Sequence, residues 1–208
     1  MSAAVESTRA ERVALDVGDL PIHGKDTASL TWWGTLGFML LEGSGFALAI
    51  AVYLYLMSLA PEWPLSAPPP DLTPGLLVTA ILLASVVPNV LVARWARKED
   101  LYRTRIGIVV MSVVGALPLL VRAYEFRSIN VSWDSNAYGS IVWLLLGLHT
   151  THLLTDLADT LVLAVIMWTR HGPNPRRFGD VQDNALYWNF VVATWIPIAI
   201  CLYAVPRL

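Results

Sequence analysis

The sequence predicts an all-α, polytopic membrane protein built as a bundle of five transmembrane helices. Three observations carry that prediction. The 208 residues are 56% hydrophobic and only 14% charged, where a soluble domain carries closer to a quarter charged residues. Nine Trp suit the aromatic belts of a bilayer protein. The apolar residues fall into five runs of roughly 20 or more, the length a helix needs to cross a bilayer. The single cysteine, Cys201, rules out an internal disulfide or a Cys-rich metal cluster. No phosphate-cradling Gly loop, nucleophile triad or basic nucleic-acid patch is present, so nucleic acid is not an expected partner.

Taken in order, residues 1–32 read as an extramembrane arm, and 33–208 as the membrane domain. The first 30 residues mix charges and lack an apolar core of signal-peptide length. The arm is either a disordered tail or a segment that docks on a partner. The predicted spans are Trp33–Leu59, Pro74–Trp95, Ile106–Phe126, Tyr138–Trp168 and Ala185–Ala204. The fourth is overlong and must tilt or project beyond the bilayer. "APEWPLSAPPPDLTPG", between the first two, is too rich in proline to be anything but a loop. Pro88, Pro118 and Pro197 fall inside spans, where neighbouring helices can satisfy the freed backbone groups.

Basic residues orient the bundle. The N-terminal arm, the loop after span two (with Arg94 to Arg105) and the loop after span four (Arg170, Arg176, Arg177) hold eleven of the 14 Lys and Arg, all on one side. The positive-inside rule then places the N-terminus in the cytoplasm and the C-terminus outside.

An ionisable group at bilayer depth costs at least ~2.5 kcal/mol by insertion scales, so each needs a reason. Glu42, in "GFMLLEGSGF", either relays a proton or is an acid hydrogen-bonded across a helix contact, with Gly43 and Gly45 letting another backbone approach. Arg122 and Glu125 in "LLVRAYEF" are three apart near the outer end of span three. They form an interfacial ion pair, or hold a lipid head group or a neighbouring subunit. "GLHTTHLLTDLADTL" places His149, His152, Asp156 and Asp159 on one helical stripe. Imidazole and carboxylate suit a transition metal. The other spans offer only Glu42 and Glu125 to complete a cage, so the expectation is no metal and a polar seam packed against another helix or subunit. Residues Arg94 to Arg105 also suit anionic lipid. Two rival readings remain: a small transporter or ion carrier using Glu42 and the His149/His152/Asp156 stripe, and an intramembrane metalloenzyme using that stripe.

From about Gly34 onwards the chain resembles subunit III of haem–copper terminal oxidases, in a five-span bacterial form. "GTLGFMLLEGSGF" is similar to the family helix in which an acid precedes a Phe-rich run, which puts Glu42 on the family's membrane glutamate. "SLAPEWP" and "ILLASVVPNVLVARWA" resemble the loop and helix that follow. "RAYEF" stands where the family has a Gln-Ala-x-Glu-Tyr type of motif, so Glu125 matches and Arg122 replaces an amide. In "NAYGSIVWLLLGLHTTH", Tyr138, Gly139, Ser140, Gly147, His149 and His152 fall on family positions. "ALYWNFVVATWIPIAICLY" resembles the last helix through Tyr187, Trp188, Phe190 and Trp195. Asn189 and Val192 replace the family's His and Asp, and Asp156 stands where the family usually has Gly.

The resemblance implies an accessory subunit of a cytochrome c oxidase-type complex with no active site or cofactor of its own. It implies haem and copper in partner subunits, contact with oxidase subunit I and with subunit II, and bound phospholipid. The first two helices of seven-span members are missing here, so the lipid cleft they help form must be open or completed by another subunit. The expected role is stabilisation of subunit I and support of proton uptake in a bacterial cytoplasmic membrane. Glu42 is then the proton-related acid, and Arg122, Glu125, His149, His152 and Asp156 build a lipid or helix-packing network.

Overall fold

A computed structural model describes residues 29–65 and 67–208. Five helices account for nearly all of them: α1 (Leu30–Leu59), α2 (Leu72–Arg97), α3 (Leu101–Glu125), α4 (Ala137–Trp168) and α5 (Pro175–Ala199). Each is long and apolar enough to cross a membrane. Of the proposed arm, residues 1–28 lie outside the described residues, and Leu30 to Trp32 already belong to α1.

The helices outrun the apolar runs because their caps are polar. Asp100 accepts a hydrogen bond from the Arg103 N–H (3.1 Å) and starts α3 five residues before the predicted span. Asn136 caps α4 through the Gly139 N–H (2.8 Å). Asn174 caps α5 through the Arg176 N–H (3.0 Å), with Pro175 at the first helical position. The first ten residues of α5 carry Arg176, Arg177, Asp180 and Asp183, and so fall outside the apolar run predicted for span five. Phe178, Val181 and Ala185 nevertheless recur at helical spacing and are buried. Beyond Ala199, a π turn (Ile200–Ala204) and a 3₁₀ turn (Val205–Arg207) complete the chain.

The principal contacts close α2, α3, α4 and α5 into a ring, and α1 packs into the seam between α4 and α5. α1 is therefore the most exposed: 11% of its apolar window is buried, against 39% for α4. Both ends are tied by polar contacts. At one end the Pro-rich loop docks closely, with Trp63 Nε1 donating to Tyr53 Oη (2.9 Å) and Tyr53 to the Cys201 carbonyl (2.6 Å). At the other, Arg105 Nε donates to the Met167 carbonyl (2.6 Å).

Indole and amide groups stitch α2 to α5. Trp188 Nε1 donates to Ser85 Oγ and Trp195 Nε1 to Thr79 Oγ1, both at 2.8 Å. Asn89 Nδ2 donates to the Ala185 carbonyl (2.8 Å) and to Asn189 Oδ1 (3.0 Å). Inside a bilayer no water replaces such partners, so each contact fixes helix register as well as adding energy. Gly75 permits the closest approach in this interface, because a Cβ there would overlap the Tyr203 ring. Gly75→Ala is expected to cost about 1–3 kcal/mol through overpacking. A thermal melt of the detergent-solubilised protein checks this; an unchanged melting point would contradict the packing.

Candidate functional site

Most of the ionisable groups within the helices gather into two networks, both near Phe46. The first joins α1, α4 and α5. Glu42 Oε1 lies 3.1 Å from His152 Nε2, and the Tyr187 hydroxyl donates to Glu42 Oε2 (2.7 Å). His152 Nδ1 faces the Leu148 carbonyl at 2.6 Å. A carbonyl only accepts, so Nδ1 carries a proton. A contact of 3.1 Å between Nε2 and a carboxyl oxygen needs one further proton between them, placed on either atom. Glu42 is thus an acid hydrogen-bonded across helices. Of its flanking glycines, Gly43 faces Phe190 (3.5 Å from an added Cβ) and Gly45 faces open space.

The second network joins α3, α4 and α5. Arg122 Nη1 donates to Glu125 Oε2 at 2.7 Å, with the two side chains 1% and 0% exposed. The expected i,i+3 pair therefore forms, buried within the bundle. A cap of aromatic and imidazole groups from α4 and α5 encloses it and keeps out lipid head groups. Tyr203 donates to Glu125 Oε1. The guanidinium lies 4.2 Å from the centre of the Trp195 ring, a cation–π geometry. Arg122 Nη2 lies 3.1 Å from His149 Nδ1. Arginine has no acceptor, so Nδ1 accepts, and Nε2 donates to the Val191 carbonyl (3.0 Å). Both ring nitrogens of His149 are therefore engaged, with the proton on Nε2.

The predicted stripe on α4 thus divides among different partners. His149 belongs to the Arg122 network and His152 to Glu42. Asp159 accepts from Asn184 Nδ2 (3.0 Å). Asp156 is 1% exposed, and neither carboxyl oxygen has a hydrogen-bond partner; it does not pair with His152. His149, His152 and Asp156 do not converge, and among the described residues no group of three or more metal-ligating side chains comes together. The geometry therefore gives no support to the metalloenzyme reading.

Residues 21–206 match the family model described as cytochrome c oxidase subunit III. The chain belongs to the cytochrome c oxidase subunit III family. It is 26% identical over 212 residues to cytochrome c oxidase subunit 3 of Thermostichus vulcanus, covering all of both chains. It is 27% identical over 194 residues to the probable cytochrome c oxidase subunit 3 of Mycobacterium tuberculosis, covering 88% of this chain and 91% of the other. With the Lumbricus terrestris subunit 3 the identity is 28% over 182 residues, covering 82% and 68%.

For this subunit III chain, sequence reasoning singled out Glu42, Arg122, Glu125, His149, His152 and Asp156; the structure places the first five in the two networks and Asp156 in neither. Sequence reasoning missed the roles of Tyr187, Tyr203 and Trp195 as their partners. Tyr187 and Trp195 are eight residues apart, close to two helical turns, which gave a signal that they share one face of α5. The spacing gave no indication of which helix that face meets.

Removing one partner of a buried pair strands the other's charge, at about 3–5 kcal/mol, whereas an apolar replacement of both is far cheaper. Arg122→Met and Glu125→Leu should therefore each destabilise strongly, and the double variant less than their sum. Unfolding of the three variants in a detergent titration checks this. Strict additivity would contradict a directly coupled pair.

Proposed function

We propose that this chain is a non-catalytic accessory subunit that stabilises subunit I of a haem–copper oxygen reductase and supports its proton uptake during aerobic respiration. The observation that carries the proton role is the Glu42–His152 contact at 3.1 Å, flanked by the Tyr187 hydroxyl. A carboxyl and an imidazole at that distance exchange a proton without moving a heavy atom. General acid–base work requires such geometry before anything else.

In this reading haem and copper belong to the partner subunits, subunit I among them and subunit II beside it. The exposed apolar face of α1, with Leu40, Leu41, Leu48 and Tyr55, meets bound phospholipid and subunit I. The clustering of basic residues in the α2–α3 and α4–α5 connections supports a cytoplasmic position for that end in a bacterial inner membrane.

The test is Glu42→Gln in the assembled oxidase, with Glu42→Asp as the variant that keeps an acid. Glu42→Gln is expected to lower sustained oxygen reduction or shorten the working lifetime at unchanged subunit content, and Glu42→Asp to retain more of both. Wild-type turnover and lifetime in Glu42→Gln would sink the proposal.

A further inference from the structure

Beside the Glu42 network, a cleft of about 430 Å³ opens between α1, α4 and α5, at the end that carries the α4–α5 connection. That is the size of a small-ligand pocket. Its α5 wall runs from Arg177 to Tyr187, about 15 Å at the helical rise. Four carboxylates line it, Asp156 and Asp159 from α4 and Asp180 and Asp183 from α5, and Arg177 is the one basic residue among the lining. Asp180 is bonded to Arg177 Nη1 at 2.7 Å.

Asp156 sets the chemistry. It is buried, lines this cleft, and neither of its oxygens has a partner. Three of the neighbouring donors are engaged elsewhere. The Tyr187 hydroxyl donates to Glu42 (2.7 Å), the Asn184 amide to Asp159 (3.0 Å) and the Thr155 hydroxyl to the His152 carbonyl (3.0 Å). Buried carboxylates are paired in folded proteins, and among the described residues no donor is bonded to Asp156. The acids do not converge as metal ligands do. Besides Thr31, Thr35, Thr155 and Asn184, the lining has an aliphatic stretch of Val162, Leu163 and Ile166, and Phe38 stacked on Tyr187 (5.9 Å between ring centres). A carboxylate combined with aromatic faces and an aliphatic wall suits a cation on an apolar stem.

We propose that this cleft binds an organic primary ammonium, with the charged head on Asp156 and Asp159 and the stem against Phe38 and the α4 wall. The inference goes beyond the proposed oxidase role and does not depend on it. The same chemistry is offered by a free alkylamine and by a lysine side chain of a neighbouring subunit.

The test is calorimetric titration with n-butylammonium, with n-butanol as the uncharged control. It is run on the purified full chain and on the assembled complex. Saturable binding of the amine to the chain, absent for the alcohol, is expected. Asp156→Asn should weaken it at least about tenfold, as loss of a charge-assisted contact does. Asp159→Asn, at an exposed position and so tolerant of change, should weaken it about twofold. Binding to both preparations identifies a free amine as the occupant. Binding to the chain but not to the complex identifies a subunit lysine already seated there. No saturable binding to the chain, or binding unchanged in both variants, would overturn the proposal.

Discussion

The Arg122–Glu125 pair is the constraint on which much of this bundle depends. Two opposite charges sit on one helix where neither water nor lipid head groups reach them. Desolvation of such a pair is repaid to the extent that surrounding groups satisfy the two ions, and here all but Arg122 Nε find contacts. Tyr203 closes the open side of the carboxylate, Trp195 lies over the guanidinium, and His149 accepts from it. Each of those residues then brings its own requirement. Tyr203 needs the bare backbone at Gly75, and His149 needs the Val191 carbonyl. One ion pair on α3 thereby sets where α2, α4 and α5 lie.

The two histidines of α4 are three residues apart, yet they face different chemistry. His149 is turned into a structural lock in which every nitrogen is committed. His152 keeps one nitrogen on a carbonyl and presents the other to an acid on α1, the least buried helix. The Phe46 ring packs near both, with ring centres 6.3 Å from His149 and 4.7 Å from His152. The rigid network supplies a fixed platform, and the exchangeable contact lies at the seam where α1 packs on it.

The class, the number of helices and the identity of most buried ionisable residues were legible because bilayer energetics act on each residue separately. Apolar length marks a span, and an isolated acid such as Glu42 needs an explanation wherever its helix lies. Helix ends were less legible, since the polar first turns of α3 and α5 are set by Asp100 and Asn174 caps rather than by hydropathy. Partners across helices were least legible. The spacing of His149, His152 and Asp156 fixes one face of α4, but a shared face spans about three neighbours. Only the mutual rotation of the helices decides that His152 meets Glu42 and that Asp156 meets a cleft. Likewise Arg122 and Glu125 were readable as a pair, while their burial follows from Tyr203 and Trp195 on a helix 70 residues away in sequence.

The central claim is that the two α4 histidines carry their protons on opposite ring nitrogens because they belong to separate networks. Nitrogen-15 magnetic resonance of ring-labelled histidine, with His149→Asn and His152→Asn used to assign the signals, tests it most directly. The account predicts a proton on Nε2 and a bare, hydrogen-bond-accepting Nδ1 for His149. It predicts a proton on Nδ1 for His152, with an Nε2 signal that shifts when Glu42 becomes Gln. A His152 with bare Nδ1, or an Nε2 signal indifferent to Glu42, would contradict it.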